Sequence, residues 1–231
     1  QRCLKAAVKN KVKRFVMTSS FAAIYGNDKT EYTDNDWTDL SRENLFPYEI
    51  SKTKAELFLW EYIESLDKKD RIEVCAINPV LVVGPSLSDS ISISNKVTLK
   101  KMLKGSIPFT PKLSVSVVDV KDVAWAHIKA MKEKNAAGKR FLLSEKTMWL
   151  SDISDILYKN GFKKVPRYTA PNWLLRVLSI FISSLRITLG RLGEKEILHT
   201  NNAKNILKWK PNTVDDAIVE SAKQLEDLNE L

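Results

Sequence analysis

Two short, nearly unbroken apolar runs, Arg14-Phe15-Val16-Met17-Thr18 and Glu73 to Val83, flank a segment of helical spacing, and this arrangement constrains the fold most. Continuous apolar runs of such length are what strands covered on both faces of a parallel sheet require. Between them, from about Ile50 to Ser65, Ala55, Phe58, Leu59, Tyr62 and Ile63 fall on one helical face. Strand, helix and strand in that order predict a βαβ unit with the two strands parallel. Gly84-Pro85 ends the second run.

The remaining pattern extends an α/β reading. Residues 1 to 11 read as the end of a helix, and Gly26 to Pro47, rich in Asn, Asp and Thr, as a long loop of the kind that often carries function. Asn95 to Lys104 predicts a helix and Val115 to Val118 a strand. Val120, Val123, Ala124, His127, Ile128 and Met131 mark one face of a further helix, and Arg140 to Ser144 another strand. Helices follow over Leu150 to Lys159 and Trp173 to Leu189. The last helix carries Val214, Ala217, Ile218, Ser221, Leu225 and Leu228, with Thr213 at its N-cap and Asp215 and Asp216 in its first turn.

Composition narrows the function classes. The chain has 231 residues, 44% hydrophobic and 28% charged, enough to bury a real core. Its formal net charge of +9 would suit a polyanion, but Lys and Arg are scattered with no run of five, and no nucleic-acid partner is expected. Cys3 and Cys75 are distant and neither sits in a C-x-x-C pair, which points away from a disulfide framework or a zinc site and toward a reducing, cytoplasmic setting. The chain opens at Gln1 inside an amphipathic basic stretch and reads as part of a longer protein. Arg176 and Arg186 interrupt the most apolar stretch, so Trp173 to Leu189 predicts a buried or interfacial helix rather than a membrane span, with a homodimer face as the competing reading.

Chemistry concentrates at Tyr48-Glu49-Ile50-Ser51-Lys52, where a phenol and an ammonium four residues apart share one face at a helix start. An ammonium near a phenol favours the phenolate, so such a pair can exchange a proton with a substrate near neutral pH. Upstream, the first strand ends at Ser19-Ser20, where a hydroxyl can protrude at the carboxyl edge of a parallel sheet, the usual ligand position in such folds. Downstream, Asn78-Pro79-Val80-Leu81-Val82-Val83-Gly84-Pro85 ends the second strand on the same edge.

With Val12 to Ser20, the Tyr48/Lys52 pair with Ser51 before the lysine, and Leu81-Val82-Val83-Gly84-Pro85, the chain resembles the extended short-chain dehydrogenase/reductases of dihydroflavonol-reductase type, in the NAD-dependent epimerase/dehydratase superfamily. Val118 to Ala124 with Ala126-His127, and Trp209-Lys210-Pro211, match the second half of that family. The resemblance implies a Rossmann-like doubly wound parallel sheet, of which residues 1–145 supply the later part with some substrate-region segments interleaved. Residues 146–231 would then form mainly a small, mostly helical substrate-binding or capping region and the terminal helix. It further implies reduction of an aldehyde or ketone, a small-molecule carbonyl substrate, with NADP as cofactor and NAD as the alternative. Tyr48 would protonate the alkoxide, Lys52 would assist it and hold the nicotinamide ribose, and Ser20 would hydrogen-bond the carbonyl oxygen. Pro79, Val80, Leu81 and Val82 would line the nicotinamide, and Ser20, Phe21, Leu81 and Leu87 would border the substrate.

Spacing chooses a branch: the serine used by nucleotide-sugar epimerases would fall at Phe21, whereas reductases use the second serine of Thr18-Ser19-Ser20. The family's glycine-rich pyrophosphate turn is absent, Gly190 and Gly193 being the only close pair, so the resemblance implies that the nucleotide-binding first half is lacking and that this span alone is inactive. The alternatives are a nucleotide-sugar epimerase or dehydratase, a 3β-hydroxysteroid dehydrogenase, or a non-catalytic Rossmann-like binding module. His127 reads as a hydrogen-bonded core histidine, Asp119 and Asp122 as structural residues, and the six tryptophans as packing anchors.

Overall fold

In the computed structural model, which describes residues 1–26, 29–43, 45–88, 99–181 and 189–231, the elements run in this order: α1 (Arg2–Lys9), β1 (Arg14–Thr18), β2 (Glu31–Thr33), α2 (Pro47–Ser65), β3 (Glu73–Pro79), β4 (Leu81–Val83), β5 (Ser114–Asp119), α3 (Val120–Lys132), β6 (Arg140–Leu143), β7 (Lys146–Trp149), α4 (Leu150–Lys159), α5 (Asn172–Phe181), β8 (Ile197–His199), α6 (Asn201–Asn205) and α7 (Val214–Asp227). They divide into two units. One comprises Gln1–Val80, Asp122–Ser144 and Ile197–Lys210; the other comprises Leu81–Lys121, Glu145–Glu196 and Pro211–Leu231.

The first unit is built on a parallel sheet in the order β1-β3-β6. Arg14 to Thr18 lie opposite Glu73 to Ile77, and Ala76 to Pro79 opposite Arg140 to Leu143. Leu4 of α1 and Leu59 and Ile63 of α2 close over Val74 and Ala76, with Phe15, Met17, Phe58 and Tyr62 around them. This is the βαβ unit that the apolar runs predict. Beside it, β2 and β8 pair in parallel, Glu31 opposite Ile197 and Thr33 opposite His199. The outer edge of β6 is closed by side chains: Asp34 Oδ1 accepts from the Leu142 amide at 2.6 Å, and Asn202 Nδ2 donates to the Arg140 carbonyl at 2.9 Å. Burial pushes the Asp34 carboxyl up from its ordinary value, against the amide hydrogen bonds from Leu142 and Asn202.

The second unit holds a mixed sheet, β4-β5-β7, in which β4 runs parallel and β7 antiparallel to β5. Val83, Val117, Met148, Ile153, Leu157, Val214, Ile218 and Leu225 form its core. Each such side chain contributes about 1.5–3 kcal/mol by leaving water. Helix α7 is tied to the end of β4, where Ser221 Oγ accepts from the Gly84 amide at 2.7 Å.

Several expectations change. The run Glu73 to Val83 is two strands, because the chain turns at Val80 and its two parts join different sheets. The loop from 26 to 47 contains β2, whose partner lies more than 160 residues on, so no local pattern announces it. Strand β7, strand β8 and helix α6 likewise have no counterpart in the sequence pattern. On α2 the buried positions are Thr53, Glu56, Leu59 and Ile63, while Ala55 is exposed, because a paired carboxylate takes a core position. On α3 the buried stripe is Asp122, Ala126 and Ala130, and Ile128 and Met131 are each 53% exposed: the helix turns its small residues inward. Thr213 is the N-cap residue of α7, though its side chain makes no capping bond. The expected helix from Asn95 to Lys104 is described only from Leu99, with a helical turn at Lys101–Leu103, and the expected helix from Trp173 to Leu189 is described as far as Phe181 and again at Leu189.

Gly84 has φ +126°, and a Cβ there would stand 2.5 Å from Val120 Cγ1. Gly84→Ala is expected to lower the unfolding free energy by about 1–3 kcal/mol through strain and overpacking, read as a lower urea midpoint with an unchanged slope. Cys75 is fully buried, and burial pushes its thiol up to about 11. The folded state therefore holds this proton longer than the unfolded chain, so stability falls as pH rises from the ordinary thiol value of about 9 toward about 11. Midpoints measured across that window should fall less steeply in Cys75→Ala than in the parent.

Candidate active site at the carboxyl ends of β1 and β3

Parallel register sets the geometry. Because Thr18 lies opposite Ile77, the chain leaves β1 beside Asn78 and Pro79, and the Ser19 amide continues the ladder to the Ile77 carbonyl at 2.8 Å. Ser19 and Ser20 are both buried. Ser20 opens a single 3-10 turn, Phe21–Ala23, and its Oγ accepts from the Ala22 amide at 3.1 Å. That bond uses an oxygen lone pair and leaves the hydroxyl hydrogen to donate elsewhere.

Helix α2 begins at Pro47, where proline's fixed φ suits a first helical position, and Glu49 accepts from the Phe46 amide at 2.8 Å. Tyr48 stands in this first turn, 57% exposed. One turn on, Lys52 Nζ donates to the carbonyls of Thr18 at 3.2 Å and Ser19 at 3.4 Å, and lies 5.9 Å from the centre of the Tyr48 ring. An ammonium has three donors. Two go to the strand end, which leaves the third able to donate elsewhere.

Beneath this surface lies Glu56, fully buried. Its Oε1 takes Arg140 Nε at 2.6 Å, and its Oε2 takes Asn78 Nδ2 at 2.7 Å together with Ser19 Oγ. Arg140 reaches on to the carbonyls of Asp34, at 3.0 Å, and Asp36, and its guanidinium stacks 3.8 Å from the centre of the Trp37 ring. Lys29 and the Thr33 amide and hydroxyl bind Asp36 and hold its carboxyl below the usual carboxylate range, against a desolvation cost. Sequence reading missed Glu56, Arg140 and the side-chain role of Asn78. The available signal was Glu56 itself, a carboxylate one turn beyond Lys52 on a helix face otherwise turned to the core.

Phe21 packs with Tyr25 and Tyr32 at ring distances of 5.5 and 5.4 Å. Pro79 ends β3, and the Val80 amide donates to the Leu143 carbonyl at 3.2 Å. Leu81 and Val82 lie in β4 of the second unit, paired with Val117 and Val118, and Leu87, also of that unit, is fully exposed. His127 is half-buried rather than core: Nδ1 faces the Val123 carbonyl at 2.8 Å, so in the neutral ring Nε2 accepts from Thr18 Oγ1 at 2.7 Å. Asp119 accepts from the Lys121 amide at the start of α3, a structural role. Trp173 is 67% exposed, contrary to its reading as a packing anchor. Among the described residues no helix is long and apolar enough to cross a membrane.

The chain is similar to known proteins in sequence and in fold. Residues 1–163 match the 3-beta hydroxysteroid dehydrogenase/isomerase family. Cinnamoyl-CoA reductase 2 of Arabidopsis thaliana is 35% identical over 164 residues, 68% of this chain and 47% of that protein. The NADPH-dependent methylglyoxal reductase of Saccharomyces cerevisiae is 30% identical over 169 residues, 67% of this chain and 49% of that protein. The chain thus spans about half the length of the curated relatives it matches. Among solved structures, yeast methylglyoxal/isovaleraldehyde reductase complexed with NADPH superposes with a TM-score of 0.77 at 23% identity, over 99% of this chain and 69% of that one. Vestitone reductase from alfalfa (Medicago sativa) gives 0.75 at 24% identity, over 99% and 70%. The fold is therefore the Rossmann-like α/β fold.

Replacing one member of a buried ion pair strands the other. Arg140→Met is expected to cost about 3–5 kcal/mol in the unfolding free energy, and Arg140→Met combined with Glu56→Leu should recover much of it. A single substitution that leaves the denaturation midpoint unmoved would show that the pair does not hold this unit together.

Proposed function

The chain belongs to the 3-beta hydroxysteroid dehydrogenase/isomerase family, and from that premise we propose that its protein reduces an aldehyde or ketone to the alcohol with NADPH. The observation that carries this reading is the placement of Lys52, bound to the carbonyls of Thr18 and Ser19 at the end of β1 and beside the Tyr48 ring, next to the turn that presents Ser20. A phenol, an ammonium and a hydroxyl in that setting are what protonation of a nascent alkoxide needs.

NADPH, when bound, supplies the hydride that the carbonyl carbon receives. Ser20 donates its free hydroxyl hydrogen to the carbonyl oxygen and polarises it, and Tyr48 delivers the proton that completes the alcohol. Lys52, one turn from Tyr48, keeps one donor for the ribose, while its other donors fix it to the strand end. Pro79, Val80, Leu81 and Val82 are the proposed nicotinamide-lining positions, and Phe21, Leu81 and Leu87 the proposed substrate-bordering ones. The names of the relatives support a carbonyl substrate and NADPH. Phe21, where the epimerase branch would carry its serine, is committed to packing with Tyr25 and Tyr32, which favours reduction over epimerisation. Two unpaired thiols, Cys3 and Cys75, suit a reducing cytoplasm.

The test is NADPH oxidation by the protein produced from its complete reading frame, against aromatic and aliphatic aldehydes and ketones. Turnover is expected with at least one carbonyl, and Tyr48→Phe should lower it by about 10²–10⁴. Turnover that survives Tyr48→Phe, or cofactor binding without any carbonyl reduction, would sink the reading.

A further inference from the structure

Glu56 is sealed from solvent and cannot touch a substrate, yet both residues of the Ser19-Ser20 turn answer to it. Ser19 donates to it directly through Oγ. Ser20 is reached through Asn78, whose Nδ2 gives one hydrogen to Glu56 Oε2 at 2.7 Å and the other to the Ser20 carbonyl at 3.2 Å. Both neighbours accept only, so the orientation of the Asn78 amide is fixed by them. Its Oδ1 is then left buried without a partner among the described residues.

That arrangement is poor value for stability alone. An orphaned buried acceptor costs free energy, and a buried ion pair such as Glu56–Arg140 can often be replaced by apolar side chains without loss. A network with such a cost calls for another reason. Tyr48, Lys52 and Glu56 follow one another at single-turn intervals along α2, so one rigid helix carries the phenol, the ammonium and the carboxylate. Through Asn78 it also holds the backbone of Ser20.

We propose that Glu56 is the positioning residue of the site: it acts through Asn78 and Ser19 to fix the Ser20 hydroxyl relative to Tyr48. This rests on the reductase reading above. Glu56 contacts neither substrate nor cofactor. Its effect runs entirely through Ser20, and this distinguishes it from a general contribution to folding.

The experiment is a double-mutant cycle on carbonyl-dependent NADPH oxidation, with Glu56→Gln and Ser20→Ala made singly and together in the protein from its complete reading frame. Ser20→Ala should lower kcat by about 10²–10³. Glu56→Gln should lower kcat about tenfold or more while KM for NADPH stays within about twofold, since displacement of a positioned group is felt in the chemical step. In the Ser20→Ala background the same substitution should cost almost nothing. Should Glu56→Gln fail to fold, Asn78→Leu takes its place in the cycle, because it keeps the Glu56–Arg140 pair and removes the orphaned acceptor. Losses that multiply in the double variant overturn the positioning role alone. Absent turnover in the parent, or a Ser20→Ala variant as fast as the parent, overturns the reductase reading and this inference with it.

Discussion

The first unit is organised around one buried charge pair, Glu56 with Arg140. A carboxylate and a guanidinium out of water are tolerable only when nearly every donor and acceptor is used, and here the surrounding chain is shaped to use them. Arg140 draws in the carbonyls of Ala23, Asp34 and Asp36 and the face of Trp37, pinning the segment after β1 against β6. Glu56 gathers Ser19 and Asn78, pinning the ends of β1 and β3 against α2. Sheet, helix and connecting loop thus share a single electrostatic anchor, and the surface above it inherits its order.

Periodicity made the regular elements legible. β1 is readable almost to its ends as a continuous apolar run, and α4 and α7 because one face of each is apolar at the right interval, with caps or breakers beside them. The βαβ unit followed from their order. What escaped was set by partners remote in sequence. β2 and β8 are three residues each and exist because they pair with one another. The break at Val80 has Pro79 as its local mark, since proline cannot donate to a ladder, but the apolar residues on either side read as one continuous run.

The site was legible to the same limit. Tyr48 and Lys52 stand out because helical spacing puts them on one face, and Ser20 because it ends a strand. Glu56 and Arg140 are 84 residues apart, and nothing in either neighbourhood marks the other as its partner. Apolar patterning also misjudged α3, where the bulky stripe lies outward and alanines lie inward. A pattern reports which residues share a face, and packing alone decides which way the face turns.

Strand β1 has a sheet neighbour on one side only among the described residues, with Phe15, Val16 and Met17 along it. A strand in that position keeps a row of amides and carbonyls able to recruit another strand, whether from its own protein or from a neighbour in a crowded preparation. The segment that delivers Ser20 is therefore also a point where association could begin, and whatever occupies that edge will govern both how rigid β1 is and how cleanly the protein stays dispersed.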